Sequence, residues 1–344
     1  MPSDVREATH AGSWYTSSPS QLKSELEEYL SRVHPLEGLH YDPPVQDAKA
    51  VIAPHAGYSY SGPAAAWAYA SIPTSKMNRV FLLGPSHHAY IDGVALSSFK
   101  AYGTPLGDIP LDLKTIEELR KTGLFKSMSS SVDEEEHSLE MHLPYIRHIF
   151  AGRNDLQLVP ILVGHPSARL LIDLSKALES YWNDPGTFFV ISSDFCHWGT
   201  RFSCTPYYPT APDPPHPVPP VPTVEPHAAS WEPPQLERRF SRLGETPIWK
   251  SIQYMDHEGI ELLKRPAEEG ALEMWEAYLD ETKNTICGRN PITVLVSLVQ
   301  HIYLKQPAAA KPAFTFVRYE QSSKVLSPRD SSVSYVSGVL RVPQ

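Results

Sequence analysis

Cysteine, long apolar runs and clustered positive charge are all scarce in this chain, and each scarcity removes a class of protein. Three cysteines in 344 residues, Cys196, Cys204 and Cys287, are too few for a disulfide framework. They suit a reducing compartment, where a thiolate can act as ligand or nucleophile. The longest apolar run, residues 292–299, is far too short to span a bilayer. Residues 1–10 are polar and lack the apolar core of a secretory signal. These absences predict a cytoplasmic protein, with the nucleus also open to it. The formal net charge is -9, and no Lys/Arg cluster is visible, which argues against nucleic acid and anionic membrane as partners. Cys-x-x-Cys, His-Glu-x-x-His and Gly-x-Gly-x-x-Gly do not occur, so zinc fingers, zincins and dinucleotide folds lack support.

What the chain does contain is alternation. With 41% hydrophobic residues it has material for a sizeable core. Ser18 as a cap, with Leu22, Leu26, Tyr29 and Leu30 on one face, predicts a helix over 19–33. Further helices are predicted over 63–70, 112–121, 139–150, 168–182, 248–264 and 272–281, and a more apolar one over 291–304. Short buried strands are predicted at 50–53, 80–83, 158–163 and 188–192. Two more, at 314–319 and 333–340, have no crossover helix between them and should be antiparallel. The fold class predicted is α/β: a single domain with a mostly parallel or mixed central sheet flanked by helices on both faces.

Residues 205–234 depart from this pattern. They hold about a dozen of the chain's 34 prolines, which forbid regular helix or ladder. The segment reads as a disordered insertion within the domain. Its proline repeats could dock an SH3 or WW domain, although a tolerated surface loop is the plainer reading.

Three predicted strands run straight into unusual polar residues. The first leads into Pro54-His55-Ala56-Gly57-Tyr58, the second into Gly84-Pro85-Ser86-His87-His88, and the third into Ser193-Asp194-Phe195-Cys196-His197-Trp198-Gly199. Ligands of open α/β sheets bind outside the carboxyl ends of the strands, so three strands would deliver imidazole or carboxylate to one edge. Cys287 stands just before the helix that Pro291 would begin, where a helix N-terminus would favour the thiolate. A fifth candidate is 137–142, where helical spacing puts His137 and Glu140 on one face.

Each piece also has a bland reading. A lone His before a Gly turn is more often a structural hydrogen-bonder. One of His87 and His88 would lie outside the site or on the surface. Asp194 could cap a helix, Cys196 reads as a packed thiol, and Cys204 lies at the edge of the proline-rich segment. Residues 137–142 could be an exposed helix start behind Asp133-Glu134-Glu135-Glu136. The coincidence at three strand ends is what points to a shared site. Imidazoles and a thiolate suit zinc, Fe(II) or copper rather than magnesium or calcium. Three protein ligands leave a coordination position open, as catalytic sites do. Asp194 and His197 would orient ligands or act as an acid/base pair. A Cys-His-Asp protease is the other chemistry these residue types permit.

Six ordered motifs give the chain a further likeness. Ala11-Gly12-Ser13-Trp14-Tyr15, Ala53-Pro54-His55-Ala56-Gly57-Tyr58, Gly84-Pro85-Ser86-His87, Glu136-His137-Ser138-Leu139-Glu140, 192–199 and Cys287-Gly288-Arg289 together resemble the Memo family, mediators of cell motility. The likeness covers nearly the whole chain outside the proline-rich segment. It implies one domain over 1–344, similar in fold to LigB-type class III extradiol dioxygenases. On the family pattern His55, His87 and Cys287 match proposed metal ligands, and Asp194 and His197 match neighbouring pocket residues. Trp14 and Tyr60 match positions at the pocket mouth. The resemblance implies bound iron or copper, with zinc also compatible, as well as redox activity. It further implies a link to cytoskeletal signalling through phosphotyrosine peptides.

Three functions follow, in this order. The first is a metal-binding redox protein in which Asp194 and His197 handle protons. The second is a peptide or phosphopeptide binding module with a vestigial dioxygenase-like pocket, lined by Trp14, Tyr60, His137 and Glu140, with Arg289 as the candidate clamp. The third is a dioxygenase or hydrolase acting on a small organic substrate, a catechol-like aromatic for the non-haem iron chemistry.

Overall fold

The apolar strands read from sequence occupy the middle of a nine-stranded mixed sheet in a computed structural model that describes residues 4–211, 235–306 and 308–343. In chain order the strands are β1 (Val5–Arg6), β2 (Ala48–Ala53), β3 (Arg79–Pro85), β4 (Val94–Leu96), β5 (Ala101–Tyr102), β6 (Ile109–Pro110), β7 (Phe125–Ser127), β8 (Gln157–Val163), β9 (Thr187–Ser192), β10 (Asp194–Trp198), β11 (Ala313–Gln321) and β12 (Ser332–Arg341). The helices are α1 (Pro19–Ser31), α2 (Tyr58–Ala70), α3 (Leu113–Lys121), α4 (Ser130–Glu135), α5 (His137–Glu140), α6 (Leu143–Ile149), α7 (Ala168–Asn183), α8 (Ile248–Leu263), α9 (Ala271–Thr282) and α10 (Arg289–Tyr303).

The sheet runs β10-β12-β2-β9-β3-β8-β4-β7, with β11 along β12. Its centre, β2-β9-β3-β8, is all parallel. These strands are almost wholly buried, which is why they read as continuous apolar runs rather than alternating ones. Antiparallel pairing appears where β12 meets β2 and β10, where β11 meets β12 and where β4 meets β8. The antiparallel terminal pair expected from sequence is therefore present. The first half of β12 pairs with β10 and the second half with β2. A small second sheet joins β1, β5 and β6.

Local differences from the sequence reading have physical reasons. Residues 139–150 form two helices, α5 and α6, because Pro144 sits in the first turn of a new helix and cannot continue the old one. α2 begins at Tyr58 and carries Pro63 inside it, and its Ala64–Ala66 run is buried, with Ser337 Oγ donating to Ala64 O at 2.7 Å. α10 begins at Arg289, not at Pro291. Residues 205–211, expected within the disordered insertion, pack instead: Tyr207 and Tyr208 are buried and Tyr207 bridges to Glu237. Trp198 Nε1 donates to Pro206 O at 2.8 Å. The rest of the proline-rich segment, 212–234, lies outside the described residues, as does any docking site in it. Among the described residues no helix is long and apolar enough to cross a membrane.

Candidate metal centre

β2, β9 and β3 lie side by side and point the same way, so their carboxyl ends open on one edge of the sheet. His55 follows β2, Asp194 follows β9 and His87 follows β3. The strand-end coincidence in the sequence is thus a real juxtaposition. Asp194 caps no helix: it is the first residue of β10, and its Oδ1 accepts the His55 amide at 2.9 Å.

The tautomer of His55 follows from its partners. Ser192 Oγ donates its one proton to Ser138 O at 2.7 Å. A carbonyl only accepts, so Ser192 must accept from His55 Nδ1, 2.6 Å away. The lone pair is left on Nε2, which faces Cys287 Sγ at 3.2 Å. Burial, followed by the neighbouring His87, His137, His142 and His197, pushes the His55 pKa well below the usual histidine value, so the ring is neutral.

His87 is held by one carboxylate. Its Nδ1 lies 2.8 Å from Glu136 Oε1 and its amide donates to Glu136 Oε2 at 2.7 Å. The Ser138 amide also donates to Glu136 Oε1 at 2.9 Å. Burial would push the Glu136 carboxyl up, but its bonds to His87 and Ser138 outweigh this and hold it at about 2. With Nδ1 committed to an ionised carboxylate, His87 presents Nε2 to the pocket. This is the outer arrangement that orients imidazole ligands.

His137 stacks on His87 with ring centroids 4.3 Å apart and lies 5.5 Å from His55. Burial first and then the neighbouring His87 bring its pKa down to about 3. Glu140 turns away from it. Its carboxylate takes the Arg6 guanidinium at 2.8 Å, His10 Nδ1 at 2.9 Å and the Tyr15 hydroxyl at 2.8 Å. The pair read as sharing one face therefore does two jobs: His137 joins the imidazoles, and Glu140 ties down the N-terminal segment.

That segment brings Trp14 over the cluster, its ring centroid 4.6 Å from His137. Trp14 is 37% exposed and so forms a rim rather than a floor, while Tyr60, 60% exposed, stands in the first turn of α2. His10 lies 5.6 Å from Trp14 and 6.0 Å from His137, and sequence reasoning missed it. Its one signal was adjacency to the 11–15 motif. His88 meets His137 edge-on at 5.6 Å on the outside of the site.

Cys287 reaches the pocket because Gly288 has no side chain. A Cβ there would lie 2.3 Å from both Ser192 O and Ser193 Cβ. Cys287 Sγ accepts the Asp194 amide at 3.2 Å. The sequence predicted a thiol lowered by the helix start. The structure corrects this: burial, reinforced by the Asp194 carboxylate, pushes the thiol well above its usual value. Backbone hydrogen bonds from Asp194 and from Gly288 at the start of α10 pull the other way and are outweighed. Asp194 is also pushed up by burial, against the opposing pull of His197.

His197 Nδ1 lies 2.9 Å from Phe195 O and 3.1 Å from Thr285 O, which fixes that nitrogen as the donor and leaves Nε2 as the acceptor. Arg289 follows Cys287 by two residues. It is exposed at the start of α10 and lines a cleft of about 460 Å³ with Glu276, Asp280, Lys283, Asn284 and Asn290.

Two groupings bring ligand atoms within 4.8 Å of one another: His55, His87 and His137, and His55, Asp194 and Cys287. His55 belongs to both. Neutral nitrogen donors, a thiol and a carboxylate make a donor set suited to a transition-metal ion rather than a hard cation.

A family profile described as "Memo-like protein" matches residues 6–339. The curated protein described as "Protein MEMO1" from Homo sapiens is 39% identical over 342 residues, covering 98% of this chain and 97% of the relative. Its namesake from Danio rerio is 40% identical over 340 residues, with the same coverage of both chains. "Protein memo-1 homolog" of Caenorhabditis elegans is 38% identical over 340 residues, covering 98% of this chain and 83% of the relative. A solved structure described as an uncharacterized protein, JW3007, from Escherichia coli K12 overlaps 83% of this chain and 99% of its own, at 12% identity and a TM-score of 0.41.

Proposed function

The chain belongs to the Memo family, and from that premise we propose that it is a cytoplasmic metal-binding protein with a redox role, linked to cytoskeletal signalling. His55, His87 and Cys287 would hold one iron or copper ion, with zinc the remaining choice for the same donors. The observation that carries this reading is the approach of His55 Nε2 to Cys287 Sγ at 3.2 Å, with the His87 ring 5.2 Å from His55. Both imidazoles have their other nitrogen committed to a fixed partner, as ligating histidines do.

An iron or copper ion held there would supply one-electron exchange. The protein's own part is to place donors and move protons. Cys287 carries a proton that its burial retains until a cation takes the sulfur. Asp194 fixes the His55 backbone, and its burial favours the protonated carboxyl. His197 offers Nε2 as the nearby acceptor.

Element analysis of the purified wild type beside His55→Ala and Cys287→Ala tests the reading. Iron or copper near one equivalent in the wild type, and little in either variant, is expected. Background metal in all three, with titrated metal bound no tighter to the wild type than to Cys287→Ala, would sink it.

A peptide-binding reading is favoured by one observation, the exposed ring of Trp14 over the imidazole cluster. Arg289, exposed beside a cleft at the start of α10, is the candidate clamp for a phosphate. Phosphotyrosine-peptide affinity that falls in Trp14→Ala while the metal content holds would favour this reading over the first.

A further inference from the structure

We propose that Tyr69 is a redox-active residue: it gives one electron to oxygen-centred radicals that reach the imidazole pocket, while His142 takes its phenolic proton. α2 carries Tyr69 in its last turn, and His142 stands at the start of α6. Both are buried, and the Tyr69 hydroxyl lies 2.5 Å from His142 Nδ1.

The direction of this bond follows from its surroundings. Among the described residues the Tyr69 hydroxyl bonds only His142, and His142 Nε2 has no partner. If Nδ1–H donated, the phenolic proton and the Nε2 lone pair would both be stranded in the core. If the phenol donates, only Nε2–H is stranded, so that arrangement is favoured. Burial agrees with it, since it keeps the phenol protonated and brings His142 down to about 3, a neutral ring.

The neighbours single Tyr69 out. Its ring stacks on Tyr145 with centroids 4.5 Å apart, Tyr58 follows Tyr145 at 5.5 Å, and Tyr15 follows Tyr58 at 5.4 Å. Tyr145 donates to Gly62 O at 2.7 Å and Tyr58 to Met141 O at 2.8 Å. A carbonyl accepts a hydrogen bond but is too weak a base to take the proton. Tyr15 meets the Glu140 carboxylate, which Arg6 and His10 already hold. Tyr69 is the phenol of this stack that faces a nitrogen base. Its ring lies 6.1 Å from His142, and His142 lies 6.4 Å from His55, so two ring contacts join the phenol to the pocket. Neither nitrogen of His142 is hydrogen-bonded to a candidate metal donor.

The oxidant is a hydroxyl or alkoxyl radical. One electron leaves the Tyr69 ring, the O–H bond breaks, and its proton moves to His142 Nδ1. The positive charge settles on the imidazole, a far stronger base than an oxidised phenol. The oxidant takes the electron and a proton from water and becomes water or an alcohol, leaving hydroxide. Tyr69 is then a neutral phenoxyl radical beside an imidazolium. A buried imidazolium is unfavourable, so its proton goes back when a thiol returns the electron. The thiol becomes a thiyl radical, and its proton neutralises the hydroxide.

The test is flash oxidation of the full chain by photogenerated ruthenium(III) tris-bipyridine, after dialysis against a chelator, so that it reads the pair without any bound ion. Electron paramagnetic resonance should show a neutral phenoxyl radical coupled to one exchangeable proton and, with isotope-labelled histidine, to an imidazole nitrogen. Tyr69→Phe should lose that signal. A positioned base speeds proton removal by about 10²–10⁴-fold, so radical formation should slow at least about a hundredfold in His142→Phe. The same radical in folded Tyr69→Phe would overturn the proposal. So would a wild-type radical without the exchangeable proton and the imidazole coupling, a result that stands even where a variant fails to fold.

Discussion

Cys287 Sγ and His55 Nε2 meet at 3.2 Å although 232 positions of sequence separate them. Nothing local produces this. β2 must lie beside β9, β10 must follow β9 at once, and the loop before α10 must press onto Ser192 and Ser193. The contact is a readout of the whole sheet, and its chemistry can be tested from several sides.

Metal affinity should rise with pH. The Cys287 thiol is protonated in the metal-free protein, because burial raises it, and a metal takes only the thiolate. His55 is already neutral, so it releases no proton. One proton lost per ion bound predicts about tenfold tighter binding per pH unit between roughly pH 6 and 8. Calorimetry in buffers of different ionisation enthalpy should find that proton, and Cys287→Ser should lose it. A pH-independent affinity would contradict the thiolate ligand.

Glu136→Gln should loosen metal and weaken the acid response of the fold. Removing the carboxylate behind a ligating imidazole costs about 10–100-fold in metal affinity. The carboxyl is held at about 2 in the fold against an ordinary 4.5. Its contribution to stability is therefore present above about pH 4.5 and lost as pH falls through that value toward 2. Denaturation midpoints over that range should fall less steeply in Glu136→Gln than in the wild type. Equal slopes would contradict the assignment.

Gly288→Ala should both destabilise the protein and empty the site. The new methyl group would sit 2.3 Å from Ser192 O, so the backbone must move. Overpacking of this kind costs about 1–3 kcal/mol. Urea unfolding reads the cost, and element analysis reads the displacement of Cys287. Full metal content in a destabilised Gly288→Ala would show that Cys287 is not needed to hold the ion.

Glu140→Ala should cost stability without touching the metal donors. It strands the fully buried Arg6, whose Nη1 lies 2.8 Å from the lost carboxylate. Breaking one side of a buried pair costs about 3–5 kcal/mol, softened here by the remaining contact of Arg6 with Asp133. A thermal shift down with metal stoichiometry intact is expected. Loss of metal at a temperature where the variant is folded would move Glu140 into the site.

The fold was legible where burial is total, because strands covered on both faces read as unbroken apolar runs, as at Val51-Ile52-Ala53 and Phe81-Leu82-Leu83. The strand-end residues His55, His87 and Asp194 followed from that reading. What stayed hidden was set by partners distant in sequence. β10 looked like a polar loop, since its role as a strand depends on β12, more than a hundred residues later. The direction of the Cys287 shift depended on burial and on Asp194, which outweigh the helix start two residues further on. The opposite duties of His137 and Glu140 arise because Arg6, His10 and Tyr15 claim the carboxylate.

β12 is the seam that three other strands share: β10 along its first half, β2 along its second and β11 along its outer side. It is also the last of them along the chain. During synthesis β2 therefore waits, one edge unsatisfied, until some 290 further residues have left the ribosome. Pairing at such range is slow to nucleate, and an unpaired apolar edge invites association with other chains. Nascent polypeptides of this protein should lean on chaperones until that closing strand emerges, and a ribosome stalled before residue 332 would display an open sheet.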